Sequence, residues 1–154
     1  MTFLSRVSNA LEAAGVRYAL VGGYAVALHG AVRGTVDVDF VLRWSLRDLE
    51  AAEAALGSIG LVSRLPVTAG EVFRFRDEYI RNRNLIAWNF YNPRDFSEQV
   101  DIIISEDLKG KRRVRMETLA GPVQVLSRRD LIAMKRASDR PQDLADVQAL
   151  EKLR

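Results

Sequence analysis

Two aspartates, Asp37 and Asp39, stand two residues apart in the run Thr35-Val-Asp-Val-Asp-Phe-Val-Leu, which alternates at first and then turns apolar, as a strand entering a sheet interior does. Residues i and i+2 of a strand project from one face, so the two carboxylates face the same way. Aspartate is disfavoured in strands, and a same-face pair repels itself unless a cation sits between. The placement therefore asks for a hard cation such as Mg2+. Upstream, the apolar run Tyr18-Ala-Leu-Val ends in Gly22-Gly23, followed by the helix formers Ala25 to Leu28 and then Gly30, which predicts strand, tight turn and short helix. Glycines there let backbone amides approach a ligand, and unpaired N–H groups at a helix start favour phosphate oxygens. A third carboxylate, Asp101, enters the apolar run Gln99-Val-Asp-Ile-Ile-Ile. If its strand neighbours the first, three convergent carboxylates suit two octahedral Mg2+ ions about 3.5–4 Å apart, the arrangement of in-line phosphoryl or nucleotidyl displacement.

Several other chemistries are excluded. The chain has 154 residues, no cysteine and one histidine, so disulfides, thiolate zinc sites, cysteine nucleophiles and multi-histidine cages are ruled out. Hydrophobic residues at 48% and charged residues at 28% fit a globular protein, and the length fits one domain spanning 1–154. Neither a signal peptide nor an eighteen-residue apolar run is readable, so no membrane association and a cytoplasmic location are expected. A net charge of +3 permits nucleic acid without demanding it.

Beyond the glycine–aspartate stretch, Phe3 to Ala14 carries a helical stripe closed by Gly15. Ser45 with Asp48 three residues on starts a helix whose apolar face is Leu46, Leu49, Ala52 and Leu56, ended by Gly57. Short strands are expected at Leu61 to Leu65, Val72 to Arg76, Leu85 to Tyr91, Gln99 to Ile104 and Val123 to Leu126. Ser127 caps a helix through Lys135, and Pro141 opens a last helix burying Leu144, Val147 and Leu150. The expected class is α/β (α+β), a mixed β-sheet carrying the carboxylates, with helices packed on one face.

The combination of Val21-Gly22-Gly23, thirteen intervening residues and Asp37-Val38-Asp39-Phe40 resembles the nucleotidyltransferases of the DNA polymerase beta superfamily, in particular minimal bacterial proteins similar to abortive-infection toxins. Arg33-x-Thr35-x-Asp37-x-Asp39, Val100-Asp101-Ile102, and Leu131-x-x-x-Lys135 followed by Arg140-x-x-Asp143-x-x-Asp146 extend the resemblance over most of the chain. It implies a nucleotidyltransferase fold and transfer of a nucleoside monophosphate from an NTP to an acceptor hydroxyl. Asp37, Asp39 and Asp101 would ligate two Mg2+ ions, with Mn2+ able to substitute, and Asp101 would deprotonate the acceptor. Gly22 and Gly23 would cradle the triphosphate, Lys135 would contact phosphate or base, and Arg33 would make a lesser contact. The carboxy-terminal domain that often grips the acceptor in such proteins is not expected here. The acceptor is left open between RNA or tRNA, a protein and a small molecule such as an antibiotic. A cognate toxin or antitoxin partner, or a phage-defence role, is implied by the same likeness.

Blander roles compete at several positions. His29, with no acid partner in view, suits a structural or solvent-facing role. Lys135 could snorkel along its helix, and Asp143 and Asp146 could complement a helix dipole or orient Lys135 or Arg140. Arginines and aromatics from Arg64 to Arg94 could bind bases and phosphates, although Val72-Phe-Arg-Phe-Arg alternates like a half-buried strand with its phenylalanines in the core. Lys109, Lys111, Arg112, Arg113 and Arg115 suit a solvated loop more than a specific RNA site. The competing functional class is a non-catalytic or partner-dependent, antitoxin-like module that keeps the nucleotide site.

Overall fold

Thr2 starts the first helix, α1 (Phe3–Ala13), by accepting a hydrogen bond from the Ser5 amide at 3.2 Å. The computed structural model describes residues 2–31, 38–118 and 121–153. After α1 come β1 (Tyr18–Val21), α2 (Gly22–Leu28), β2 (Val38–Leu42), α3 (Leu46–Ser58), β3 (Val62–Ser63), α4 (Ala69–Arg74) and α5 (Arg76–Asn82). The chain continues through β4 (Ala87–Asn92), β5 (Asp95–Ile103), β6 (Arg113–Thr118), β7 (Gly121–Leu126), α6 (Arg128–Ser138) and α7 (Pro141–Glu151). One mixed sheet runs in the order β3-β4-β5-β2-β1-β7-β6. The pairs β2–β5 and β1–β7 are parallel, and the other neighbours are antiparallel.

Strand alternation separates core from site. Leu20, Phe40, Ile102 and Trp88 lie in register across four strands and are buried, with Tyr18, Leu42, Val100 and Phe90 on the same face. Each such side chain contributes about 1.5–3 kcal/mol of apolar burial. Helices α1 and α3 back this face: the Tyr18 hydroxyl donates to Glu12 at 3.0 Å, and Leu11, Leu49 and Leu56 complete the core. Ser45 caps α3 as its spacing predicts, accepting from the Asp48 amide at 3.0 Å. The Asp48 carboxylate is fully buried and receives the Arg17 guanidinium at 2.6 and 3.1 Å, the Arg17 amide and the Ser45 hydroxyl. Burial opposes its ionisation, but these donors and the Arg17 charge outweigh it and hold the carboxyl below its ordinary range.

The structure corrects four sequence expectations. Residues 72–76 are not a strand: Thr68 and Glu71 form a reciprocal capping box that starts α4, and a second short helix follows. Phe73 and Phe75 are consequently exposed, Phe73 stacking on Trp44, while Arg76 lies over the Trp44 ring at 4.2 Å and donates to the Ile104 carbonyl. Arg113 and Arg115, expected in a solvated loop with Lys109, Lys111 and Arg112, lie instead on the edge strand β6. Leu144 is 45% exposed, and α7 buries Asp143 and Asp146 together with Val147 and Leu150. Leu46, expected on the buried face of α3, is exposed.

Candidate active site

At the end of β1 the chain turns directly into α2, and Gly22 adopts φ +72°, a conformation L side chains rarely take. A Cβ there would overlap Oδ2 of Asp39 and come within 3.1 Å of its carboxyl carbon. The glycine is thus required twice, for its backbone angle and for the approach of the Asp39 side chain. Gly23, the second residue of the pair, is buried inside α2.

Asp39 pairs in register with Val21 on one side and with Asp101 on the other. Because β2 and β5 are parallel and in phase, both carboxylates leave the sheet on the face opposite Phe40 and Ile102. The strands of Asp39 and Asp101 are neighbours, the condition on which the sequence expectation for Asp101 rested. Asp37 and Arg33 lie outside the described residues. Asp39 and Asp101 offer oxygen donors alone, the set preferred by hard divalent cations. Among the described residues no group of three or more acidic, histidine or cysteine side chains is poised around one point.

Asn89 of β4 faces Asp101 in register and donates from Nδ2 to Oδ1 of Asp101 at 2.8 Å. Its own Oδ1 accepts from Nε of Arg64 at 2.8 Å. The sequence expectation had no role for Asn89 and included Arg64 only as the start of the arginine- and aromatic-rich segment. The only available signal was alternation, since Asn89 sits between buried Trp88 and Phe90 and must face the carboxylate side.

On the other flank, Lys135 of α6 is buried, and its ammonium donates to Asp146 at 2.9 Å and Asp143 at 3.4 Å. Arg140 donates to Asp143 through Nε at 2.7 Å. Burial disfavours the charged Asp143, yet the Arg140 hydrogen bond and the charges of Arg140 and Lys135 hold its carboxyl below the usual range. Arg140 is pushed up in turn, chiefly by its hydrogen bond and attraction to Asp143, with Asp39 among the facing charges. The two aspartates of α7 therefore orient the cations, one of the roles considered from sequence. A cleft of about 100 Å³ gathers Val21, Gly22, Asp39, Ile103, Lys135 and Arg140 on its walls. Gly22, Asp39 and Lys135 are thus brought together, with Asp101 one strand away. His29 takes a structural role instead, its Nε2 lying 2.8 Å from the Leu126 carbonyl.

No protein-family model matches this sequence, and no curated protein matches it. Solved structures do. The chain is similar to the lincomycin-bound lincosamide antibiotic adenylyltransferase LnuA, with TM-score 0.62 and 14% identity over 99% of this chain and 96% of that one. It is similar to ANT(2")-Ia in complex with adenylyl-2"-tobramycin, with TM-score 0.58 and 12% identity over 96% and 84% of the two chains. A third is an antigenic nucleotidyltransferase-like protein from Paracoccidioides brasiliensis, with TM-score 0.55 and 16% identity over 95% and 72%. The fold is that of the nucleotidyltransferases.

Proposed function

We propose that this chain is a nucleotidyltransferase that moves a nucleoside monophosphate from an NTP to an acceptor hydroxyl. The observation that carries the proposal is the in-register pair Asp39 and Asp101 on adjacent parallel strands, with the unsubstituted Gly22 against the first of them. The donor set fits Mg2+ or Mn2+, and Asp39 and Asp101 would hold the ions, with Asp37 as a third ligand by the sequence pattern. Bound there, the metal supplies charge neutralisation of the phosphate oxygens.

The chain's own residues do the rest. Gly22 lets backbone approach the triphosphate, and Lys135 and Arg140, aimed by Asp143 and Asp146, present positive charge in the same cleft. Asp101, steadied by Asn89, accepts the proton of the acceptor hydroxyl. As the acceptor oxygen bonds to the α-phosphorus, the bond to the bridging oxygen breaks and pyrophosphate leaves. Gly23 supports the turn, and Arg33 is assigned a lesser phosphate contact from the sequence pattern. The likeness to LnuA and ANT(2")-Ia supports nucleotidyl transfer as the reaction class. Membership of a toxin–antitoxin or phage-defence pair is the finer reading, resting on the motif around Asp37 and Asp39.

The test is label transfer from each α-labelled NTP, with Mg2+, into a bacterial extract resolved into RNA, protein and small-molecule fractions, with Asp39→Asn as control. Label in one fraction that vanishes in the variant supports the transferase and names the acceptor class. No label from a folded, metal-supplemented protein favours the partner-dependent or antitoxin-like module.

A further inference from the structure

The Asp39–Asp101 pair divides the candidate-site face of the sheet into two flanks. On the β1 side lies Gly22, which follows Val21, the register partner of Asp39, and lines the cleft with Lys135 and Arg140. On the β4 side the chain presents a different surface. Tyr91 lies opposite Gln99 in the same β4–β5 ladder, two residues beyond the Asn89–Asp101 pair, or about 7 Å along the strands. The Tyr91 ring contacts Phe96 with centroids 5.8 Å apart, and Phe96 is 67% exposed, the most exposed large hydrophobic residue among those described. The Arg64 guanidinium sits 4.6 Å over the Tyr91 ring while its Nε reaches Asn89. Arg64, Asn89 and Asp101 are thus one hydrogen-bonded chain running from the aromatic pair to a carboxylate of the candidate site.

We propose that Tyr91, Phe96 and Arg64 form the acceptor subsite, and that it takes a nucleotide unit whose base stacks on the two rings and whose phosphate meets Arg64. The proposal rests on the transfer reaction proposed above. An in-line displacement puts the attacking hydroxyl and the leaving pyrophosphate on opposite sides of the phosphorus. With the triphosphate cradled at Gly22 on the β1 side, the acceptor arrives from the β4 side, across Asp101. Stacking on aromatic rings tolerates any base, and guanidinium suits phosphate. Arg64 is exposed, and among the described residues no salt bridge to a carboxylate neutralises it, so its charge faces an incoming phosphate. A fixed cation at this point also opposes a polycationic acceptor such as an aminoglycoside. The nucleotide could be the end of an RNA strand or a free mononucleotide.

The experiment is binding of a fluorescently labelled short single-stranded RNA with a free 3′-hydroxyl, with an unlabelled mononucleotide and an aminoglycoside as competitors. Phe96→Ala, at an exposed position, is expected to weaken RNA binding about tenfold. Arg64→Gln is expected to weaken it several-fold and lower the salt slope by about one. Competition by the mononucleotide that is lost in Phe96→Ala would support the subsite with a free nucleotide as its occupant. Binding indifferent to both substitutions, binding lost instead in Arg129→Gln on the outer face of α6, or displacement by the aminoglycoside would each overturn the proposal. Binding is expected to survive Asp39→Asn. Phe96-dependent binding without label transfer to any acceptor therefore counts against the transfer reading alone. Asp39-dependent transfer with an acceptor KM unmoved by Phe96→Ala counts against the subsite alone.

Discussion

Gly22 and Asp39 are mutually exclusive with any side chain between them: the space a Cβ would need on Gly22 is filled by the Asp39 carboxylate. Gly22→Ala therefore carries two separable costs. The positive φ costs about 1–2 kcal/mol in an L residue, read as a lower urea midpoint. Displacement of Asp39 is expected to lower nucleotidyl transfer at least a hundredfold, more than that stability loss explains.

Asn89 touches Asp101 but not the cleft, so its effect should be on turnover. Asn89→Leu is expected to lower kcat about 10- to 100-fold, the range for partners that orient a ligating carboxylate, with KM for the NTP unchanged. Steady-state kinetics against NTP concentration checks the split. An equal rise in KM would instead make Asn89 part of the nucleotide site.

Lys135 neutralises two buried aspartates. Lys135→Met leaves them facing each other without their shared cation, and a loss of about 3–5 kcal/mol in unfolding free energy is expected. Adding Asp146→Asn to that variant should recover part of the loss, measured by urea denaturation of the single and double variants.

Asp48 and Asp143 both have carboxyl pKa values lowered by folding. The sign is that of depressed acids: their contribution is fully present above the unfolded value of about 3.9 and is lost as pH falls through the folded values. Stability should therefore be flat from about pH 7 to pH 5 and decline below about pH 4 as these carboxyls take up protons. Asp48→Asn is expected to shallow that decline in urea midpoints measured against pH, while lowering stability at neutral pH.

The parts of the fold legible in the sequence are those with strong periodicity or a named cap. The β1–α2–β2 order, the Ser45 and Ser127 caps and the apolar run around Asp101 could be assigned because each residue type had a local reason to be there. The α4 region was misjudged because alternating Phe and Arg outweighed the Thr68–Glu71 box, which stood in plain view. Edge strand β6 lacked the apolar content of a buried strand, since its arginines face solvent. Asp143 and Asp146 looked like helix-dipole residues, because burial of an acid depends on a partner brought in from another helix. Asn89 and Arg64 belong to no motif, and only strand register reveals their link to Asp101.

Strand β2 lies in the middle of the seven, bonded to β1 on one side and β5 on the other. Its backbone has no free margin from which to fray, so its amides should be among the last to exchange with deuterium. Whatever Asp39 holds is thereby anchored to the most slowly opening part of the molecule. Loss of the site and global unfolding then become one event, and tolerance to heat in this chain should be inherited directly by its chemistry.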